Sequence, residues 1–432
     1  MPTPSLPASL GADGAFELFE ALSGELAAGP RSFLDSSDAG VTPAPRRSAQ
    51  SILAFGAEVV TTEPSEFGPW LSGAWPGDGD WFGVLEYEQS GRFFRAERTV
   101  VVDHRTGTVT PHGDEEWAQH VEQTLAEVSS APGDSDFAPR LTGLTVRDSQ
   151  EEYLAKISEA QAEIRDGNSY EVCLTTAVTG TLHGGAFEAY RRLRAANRAP
   201  FTQLLILPEP EGGTLEILST SPERFVSMDA EGTVRSEPIK GTRPRGATAA
   251  ADAALAEELR THPKDRAENV MIADLVRNDL SVYAAAGTLR TERLCAVESY
   301  PSVHQMVSTI SARLAPGSSR AAAVLAAFPP GSMTGAPKLS TMEILRRLEG
   351  SPRGPYSGAA GFFGADGSCD LSVVIRTAVL RRPAGAGQPA SLHLGVGGAI
   401  TADSEPQKEW EEIVVKSRGV LNALGGEFPS RE

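Results

Sequence analysis

Strand-like and helix-like segments alternate along this chain, but not in the strand–helix–strand rhythm that a parallel sheet needs. Short apolar or alternating runs at 51–60 (SILAFGAEVV), 81–87 (WFGVLEY) and 98–102 follow one another with only turn signals between them. A helix-like run covers 115–129, and 129–140 (SSAPGDSDFAPR) reads as a linker. Ser149-Gln-Glu-Glu152 is a capping box, in which the serine caps a helix and Glu152 reaches back to its backbone N–H. That helix is expected to stop at Asp166-Gly167-Asn168. Beyond it, strands near 170–178, 204–207, 216–218, 225–228 and 233–236 mix with helices near 187–196, 252–260 and 263–277. Helices near 319–327, 340–348 and 408–424 then mix with strands near 357–363, 371–380 and 391–396. The mixture predicts an α+β fold. Residues 1–30, rich in Ala, Gly, Ser and Pro, are expected to be loosely ordered at the start.

The 432 residues are enough for two to four domain-sized units or one large composite body, with a core that needs no staples. A net charge of −18 argues against non-specific nucleic-acid binding and against anionic membranes. An anionic substrate would need local cations or Mg²⁺. Cys173, Cys295 and Cys369 are far apart and match no metal spacing, which points to a reducing compartment. No apolar run is long enough to span a bilayer, and the first residues do not resemble a signal peptide. The expectation is a soluble cytoplasmic protein.

Several motifs carry little. Gly331-Ser-Met-Thr-Gly-Ala-Pro-Lys338 looks like a phosphate loop but fails its glycine spacing. Gly395-Val-Gly-Gly398 is too short to mean dinucleotide binding. Asp265 with Glu268, and Glu409 with Glu412, are each three apart on a predicted helix, so each pair shares a face. With Lys416 four residues after Glu412, the spacing by itself favours an ordinary solvated helix face with a stabilising Glu–Lys pair. The functional alternative is two helices bringing carboxylates to one hard cation. Lys240, in Pro238-Ile-Lys-Gly-Thr242, is either a surface turn lysine or a buried one whose pKa desolvation lowers, making it a nucleophile.

Seven segments in order carry a resemblance: PIKGTRPRG (238–246), KDRAENVMIADLVRNDL (264–280), VHQMVSTI (303–310), FPPGSMTGAPKLSTMEIL (328–345), SGAAGFFG (357–364), LSVVIRTAVL (371–380) and GVGGAITADSEPQKEWEEIVVKSRGVL (395–421). Together they resemble the chorismate-utilising enzymes, over residues 145–425. The resemblance implies the anthranilate synthase component I-like α+β fold, two facing β-sheets with helices outside. Residues 1–140 would add strands to the same body. Enzymes of the family that add water to chorismate carry a lysine where Glu171 stands, which argues against them. PIKGT resembles the aminodeoxychorismate synthase branch, whereas the anthranilate synthases resemble PIAGT. Anthranilate synthase component I, or a non-catalytic chorismate- or tryptophan-binding regulator, is the alternative.

The resemblance implies Lys240 as nucleophile at C2 of chorismate and Glu223 in Ser221-Pro-Glu-Arg-Phe225 as general acid. It implies Mg²⁺ on Glu268 and Glu412, with Asp265 and Glu409 close by. Arg376 and Lys416 would hold carboxylates, and Gly397, Gly398 and Ala399 would offer backbone N–H groups. Thr334, Gly335 and His304 would line the pocket. Asp274, Arg277, Asn278 and Asp279 are expected to tie a helix end to loops. Residues 31–37 (RSFLDSS) vaguely resemble a tryptophan-contacting segment. No cysteine lies in a glutaminase-like elbow, so ammonia is expected from a separate glutamine amidotransferase subunit or from ammonium.

Overall fold

The computed structural model describes residues 13–26, 29–36, 49–77, 79–128, 138–301, 303–385 and 387–429. They form two antiparallel sheets and ten α-helices. From edge to edge the larger sheet runs Gly335–Ala336, Glu171–His183, Ala390–Ile400, Thr377–Arg382, Thr214–Ser221, Phe201–Pro208, Arg31–Asp35, Gln50–Phe55, Arg98–Asp103 and Thr108–His112. Arg140–Val146 pairs with Glu171–His183 beside this path. The smaller sheet runs Ile239–Pro244, Val303–Arg313, Thr233–Glu237, Arg224–Met228, Cys369–Val373, Ala359–Phe363, Trp81–Leu85, Gly91–Arg95 and Val59–Thr62, with Arg290–Ser299 pairing Val303–Arg313. Strands from the first 112 residues therefore lie in both sheets.

Three apolar layers follow from this. Leu205, Leu207, Leu215 and Ile217 of the larger sheet meet Phe82, Val84, Phe94 and Ala360 of the smaller one. The other face of the larger sheet is covered by helices that include Gly14–Glu25, Glu115–Val128, Gln150–Arg165 and Pro406–Ala423. The other face of the smaller sheet is covered by Pro64–Ala74, Pro263–Ser281 and Arg320–Ala327.

The capping box forms as the sequence predicts: Glu152 N–H donates to Ser149 Oγ, and Ser149 N–H donates to Glu152 Oε2 at 2.7 Å. The expectation of loose order at the start fails over Gly14–Glu25. Ala15, Phe16, Leu18, Phe19 and Leu22 recur at helical spacing and are fully buried. The run 51–60 is two strands that enter different sheets, and Pro64–Ala74 is a helix despite Pro69. Most of the linker reading, residues 129–137, lies outside the described residues.

Lys338 is a staple and not a phosphate-loop lysine. Its Nζ donates to Asp279 Oδ2 at 2.7 Å and to the carbonyls of Ala327 and Pro329. Asp279 thus ties a helix end to the loop, whereas Asp274 and Arg277 pair on the surface.

Candidate active site

Two passages of the chain between the sheets build the site. Thr214–Ser221 lies in the larger sheet and Arg224–Met228 in the smaller, so Pro222 and Glu223 stand at a crossing. Cys369–Val373 and Thr377–Arg382 make the return passage, with Ile375 and Arg376 at its crossing. The crossings are joined, because Val373 N–H donates to Glu223 O at 3.0 Å and Thr220 N–H donates to Arg376 O at 3.2 Å. Arg376 holds φ at +53°, a conformation uncommon outside glycine. The expected single strand at 371–380 is two strands because the backbone turns there into the other sheet.

A cavity of about 640 Å³ opens at these crossings. Of the sequence-derived candidates, Glu223, Lys240, Asp265, Glu268, Arg376, Gly397, Gly398, Ala399, Glu409, Glu412 and Lys416 line it. His304, Thr334 and Gly335 do not. Val303 and Gln305 line the cavity, so strand alternation turns His304 to the opposite face. There its ring bonds Ser299 Oγ at 2.7 Å and Asp252 Oδ1 at 3.0 Å. Thr334 and Gly335 fasten their loop to the large sheet: Cys173 N–H donates to Thr334 O, and Gly335 pairs with Val172. Their neighbours Ser332 and Met333 reach the cavity instead.

Glu223 is buried and accepts a hydrogen bond from Ser332 Oγ at 2.6 Å. Burial pushes its carboxyl up to about 7, against the opposing pull of Ser332 and Lys240. Lys240 departs from its expected electrostatics. Its Nζ lies 2.7 Å from Glu171 Oε1, and Glu171 is fully buried. Burial disfavours the ammonium, but the charge of Glu171, aided by Cys173 and Glu268, holds its pKa above the ordinary lysine value. Lys240 is thus a charged, paired lysine and not one with a lowered pKa.

The guanidinium of Arg376 has no hydrogen-bond or ion-pair partner among the described residues. Burial disfavours its charge. An anionic ligand would supply what it lacks. Lys416 Nζ donates to Gly397 O at 2.9 Å and pairs with Glu412 Oε1 at 2.6 Å. Beyond His393 the strand Ala390–Ile400 pairs, among the described residues, only with Glu171–His183, so its other edge faces the cavity. Gly397 O lies on that edge. Alternation therefore puts the N–H groups of Gly397 and Ala399 there and turns that of Gly398 into the ladder. Thr175 N–H fits this pattern, because it bonds Glu349 Oε1 and not Gly397.

The acidic pairs project from Pro263–Ser281 and Pro406–Ala423. Asp265 is engaged by Arg243 at 2.8 Å and His262 at 2.9 Å. Glu409 Oε1 accepts from Ser404 Oγ at 2.7 Å. Burial raises the pKa of Glu268, and its Oε1 is buried without a hydrogen-bond partner. In Glu412, burial pushes the carboxyl up, but Lys416, aided by Lys264 and Lys240, brings its pKa below the ordinary glutamate value. A Cβ on Gly398 would stand 3.4 Å from Glu409 Oε2 and 3.8 Å from Glu412 Oε1. Among the described residues no three such groups converge closely enough to hold a metal alone. The orphaned Glu268 oxygen and the glycine-lined approach fit a Mg²⁺ that takes a few carboxylates and completes its shell with water and substrate oxygens.

Sequence reasoning missed the support behind the cavity. Buried Arg353 donates to Glu349, to Met333 O at 2.7 Å and to Cys173 O at 2.9 Å. Its only sequence signal is an ordinary i, i+4 Glu–Arg spacing. Glu171 was read only as the position that argues against the water-adding relatives, and its pairing with Lys240 was missed. The RSFLDSS segment is elsewhere. Leu34, Asp35 and Ser36 line a second cavity of about 630 Å³ between the sheets, and Ser37 lies outside the described residues.

A family model described as chorismate binding enzyme matches residues 70–422, an earlier start than the motifs alone give. The chain is 46% identical to aminodeoxychorismate synthase of Streptomyces griseus, over 78% of this chain and 47% of that protein. It is 42% identical to aminodeoxychorismate synthase component 1 of Klebsiella aerogenes, over 64% of this chain and 58% of that one. It thus spans about half the length of the curated relatives it matches. Anthranilate synthase component I from Streptococcus pneumoniae TIGR4 has a similar fold, with a TM-score of 0.71 at 24% identity, over 87% of this chain and 92% of that one. On its motifs, its two sheets and this match, the chain belongs to the family of chorismate binding enzymes.

Proposed function

We propose that this chain is an aminodeoxychorismate synthase component I, converting chorismate and ammonia to 4-amino-4-deoxychorismate for para-aminobenzoate and folate synthesis. The observation that carries the reading is the meeting on one cavity of Lys240, Glu223 and Arg376, the last without a side-chain partner among the described residues. Relatives at 46% and 42% identity named for that activity support it.

Arg376 and Lys416 receive the two carboxylates of chorismate, and the open-edge N–H groups of Gly397 and Ala399 assist. Glu268 and Glu412 would hold Mg²⁺, with Asp265 and Glu409 close by or acting through water. When bound, Mg²⁺ would supply charge neutralisation to the ring carboxylate and help orient it. Lys240 must lose a proton before it can attack, and Glu171 Oε1 is the acceptor in reach. The freed amine forms a bond to C2, the ring double bond shifts, and the C4–O bond breaks. Glu223 donates the proton with which the hydroxyl leaves as water. Ammonia then adds at C4, the double bond shifts back, the C2–N bond breaks, and the extra proton of the new C4 ammonium returns to Glu223. Lys240 leaves as an amine and recovers its proton from Glu171.

Cys173, Cys295 and Cys369 are buried, which supports an ammonia source on another chain, a glutamine amidotransferase subunit. The name component 1 of two relatives agrees with such a partner. No helix among the described residues is long and apolar enough to cross a membrane. The net charge of −18 supports the reading of a cytoplasmic enzyme that does not bind nucleic acid or anionic membranes.

The test is a product assay with chorismate, Mg²⁺ and ammonium, followed by aminodeoxychorismate lyase. Release of para-aminobenzoate supports the reading. Fluorescent anthranilate without lyase would replace it with an anthranilate synthase, and chorismate binding without turnover would replace it with a regulator.

A further inference from the structure

The acidic wall of the cavity carries a cation of its own. Lys264 Nζ lies 3.3 Å from Glu409 Oε1 and 3.7 Å from Glu268 Oε1. One ammonium thus bridges carboxylates on two helices, Pro263–Ser281 and Pro406–Ala423, and it lines the same cavity. Its own helix does not explain this position. Lys264 is the second residue of that helix, where the positive end of the macrodipole disfavours a cation. The two carboxylates supply the compensating attraction. The contact with Glu268 falls short of a hydrogen bond, so Glu268 Oε1 is left without one. Lys264 is 50% exposed on a flexible four-carbon stem, so its head can move into water without uncovering the core.

From this geometry we propose that Lys264 is a built-in competitor for the divalent cation, its ammonium standing on the approach to Glu268 and Glu409 and swinging aside when Mg²⁺ is taken. The proposal rests on the metal reading above. A single charge held at 3.3 and 3.7 Å is displaceable by a double charge, because the carboxylates gain more from the latter. The displacement also breaks the Lys264 link between the helices and leaves the cation to replace it. Lys408 gives the control. It lines the same cavity but is 70% exposed and paired with Glu405, outside the acidic pairs.

The test is calorimetric titration of Mg²⁺ into the full chain and into the Lys264→Met and Lys408→Met variants. Each is run with and without chorismate, with ammonia left out and folding checked by thermal melting. Lys264→Met is expected to bind Mg²⁺ about fivefold more tightly or better, and Lys408→Met to stay within about twofold of the parent. Equal affinity in the parent and Lys264→Met, weaker binding in that variant, or equal tightening by Lys408→Met would overturn the competitor role while the metal site stands. Absence of Mg²⁺ binding in all three proteins, with chorismate present, would remove the metal reading and the proposal together.

Discussion

Glu171 and Lys240 form a buried ion pair at 2.7 Å, on two strands that belong to different sheets. The nucleophile of the proposed reaction is therefore held as an ammonium by a carboxylate that can also take its proton. This pairing gives Lys240 a structural weight as well as a chemical one.

Lys240→Ala is expected to abolish aminodeoxychorismate formation and to leak toward anthranilate. It should also destabilise the fold by about 3–5 kcal/mol, because Glu171 keeps a buried charge with no partner. Adding Glu171→Gln should restore most of the stability and none of the activity. Denaturant melts of the single and double variants, beside the product assay, check both halves. An unchanged rate in Lys240→Ala would end the covalent mechanism.

Glu223 sets a pH dependence of known sign. Its carboxyl titrates near 7 in the fold and near 4.5 when exposed. Between those values the folded chain binds more protons than the unfolded one, so this group's contribution makes stability fall as pH rises through that window. The drop is about 3 kcal/mol at most. Glu223→Gln should flatten it and should cut the rate by roughly 10²–10⁴-fold. Equal stability-against-pH curves for parent and variant would place Glu223 outside this role.

Ser332→Ala removes a hydrogen bond that favours the Glu223 carboxylate. The carboxyl should then titrate higher, and the alkaline fall in rate should move to higher pH. A pH–rate profile reads it directly. No movement would mean that Ser332 does not tune the acid.

Glu268→Gln should raise the Mg²⁺ concentration needed for half-maximal rate. Asp265→Asn should do so less, because Arg243 and His262 already engage Asp265. A Mg²⁺ titration of both variants separates the two carboxylates. A larger effect at Asp265 would reverse their order.

The segments that border the cavity were legible through the resemblance they carry together, whereas spacing alone left the acidic pairs and Lys240 as ordinary surface groups. The acidic pairs sit three residues apart on helices, and PIKGT, SPERF and IRT are short segments that reach the cavity together. What stayed hidden was direction. His304 lies in a segment that borders the cavity, yet alternation turns it to the other face. The run 371–380 reads as one strand, and no pattern of apolar residues announces that Arg376 turns it into a second sheet. The sign of the Lys240 shift was hidden as well. It depends on Glu171, 69 residues away in the chain. The helix at Gly14–Glu25 was obscured by the Ala- and Gly-rich composition around it, although its apolar spacing is regular.

The interleaving of the early strands with later ones sets an order on how the molecule can be completed. Arg31–Asp35 pairs with Phe201–Pro208, and Trp81–Leu85 pairs with Ala359–Phe363. During synthesis the first 112 residues therefore emerge with one open edge in each sheet. The first edge waits for residue 208, and the second waits until most of the chain has been made. Glu171–His183 waits for Ala390–Ile400, the last strand among the described residues. The cavity cannot close around a substrate on a nascent chain. Its walls come together only when the C-terminal strand and helix arrive, so an incomplete copy of this chain carries exposed strand edges and no finished pocket.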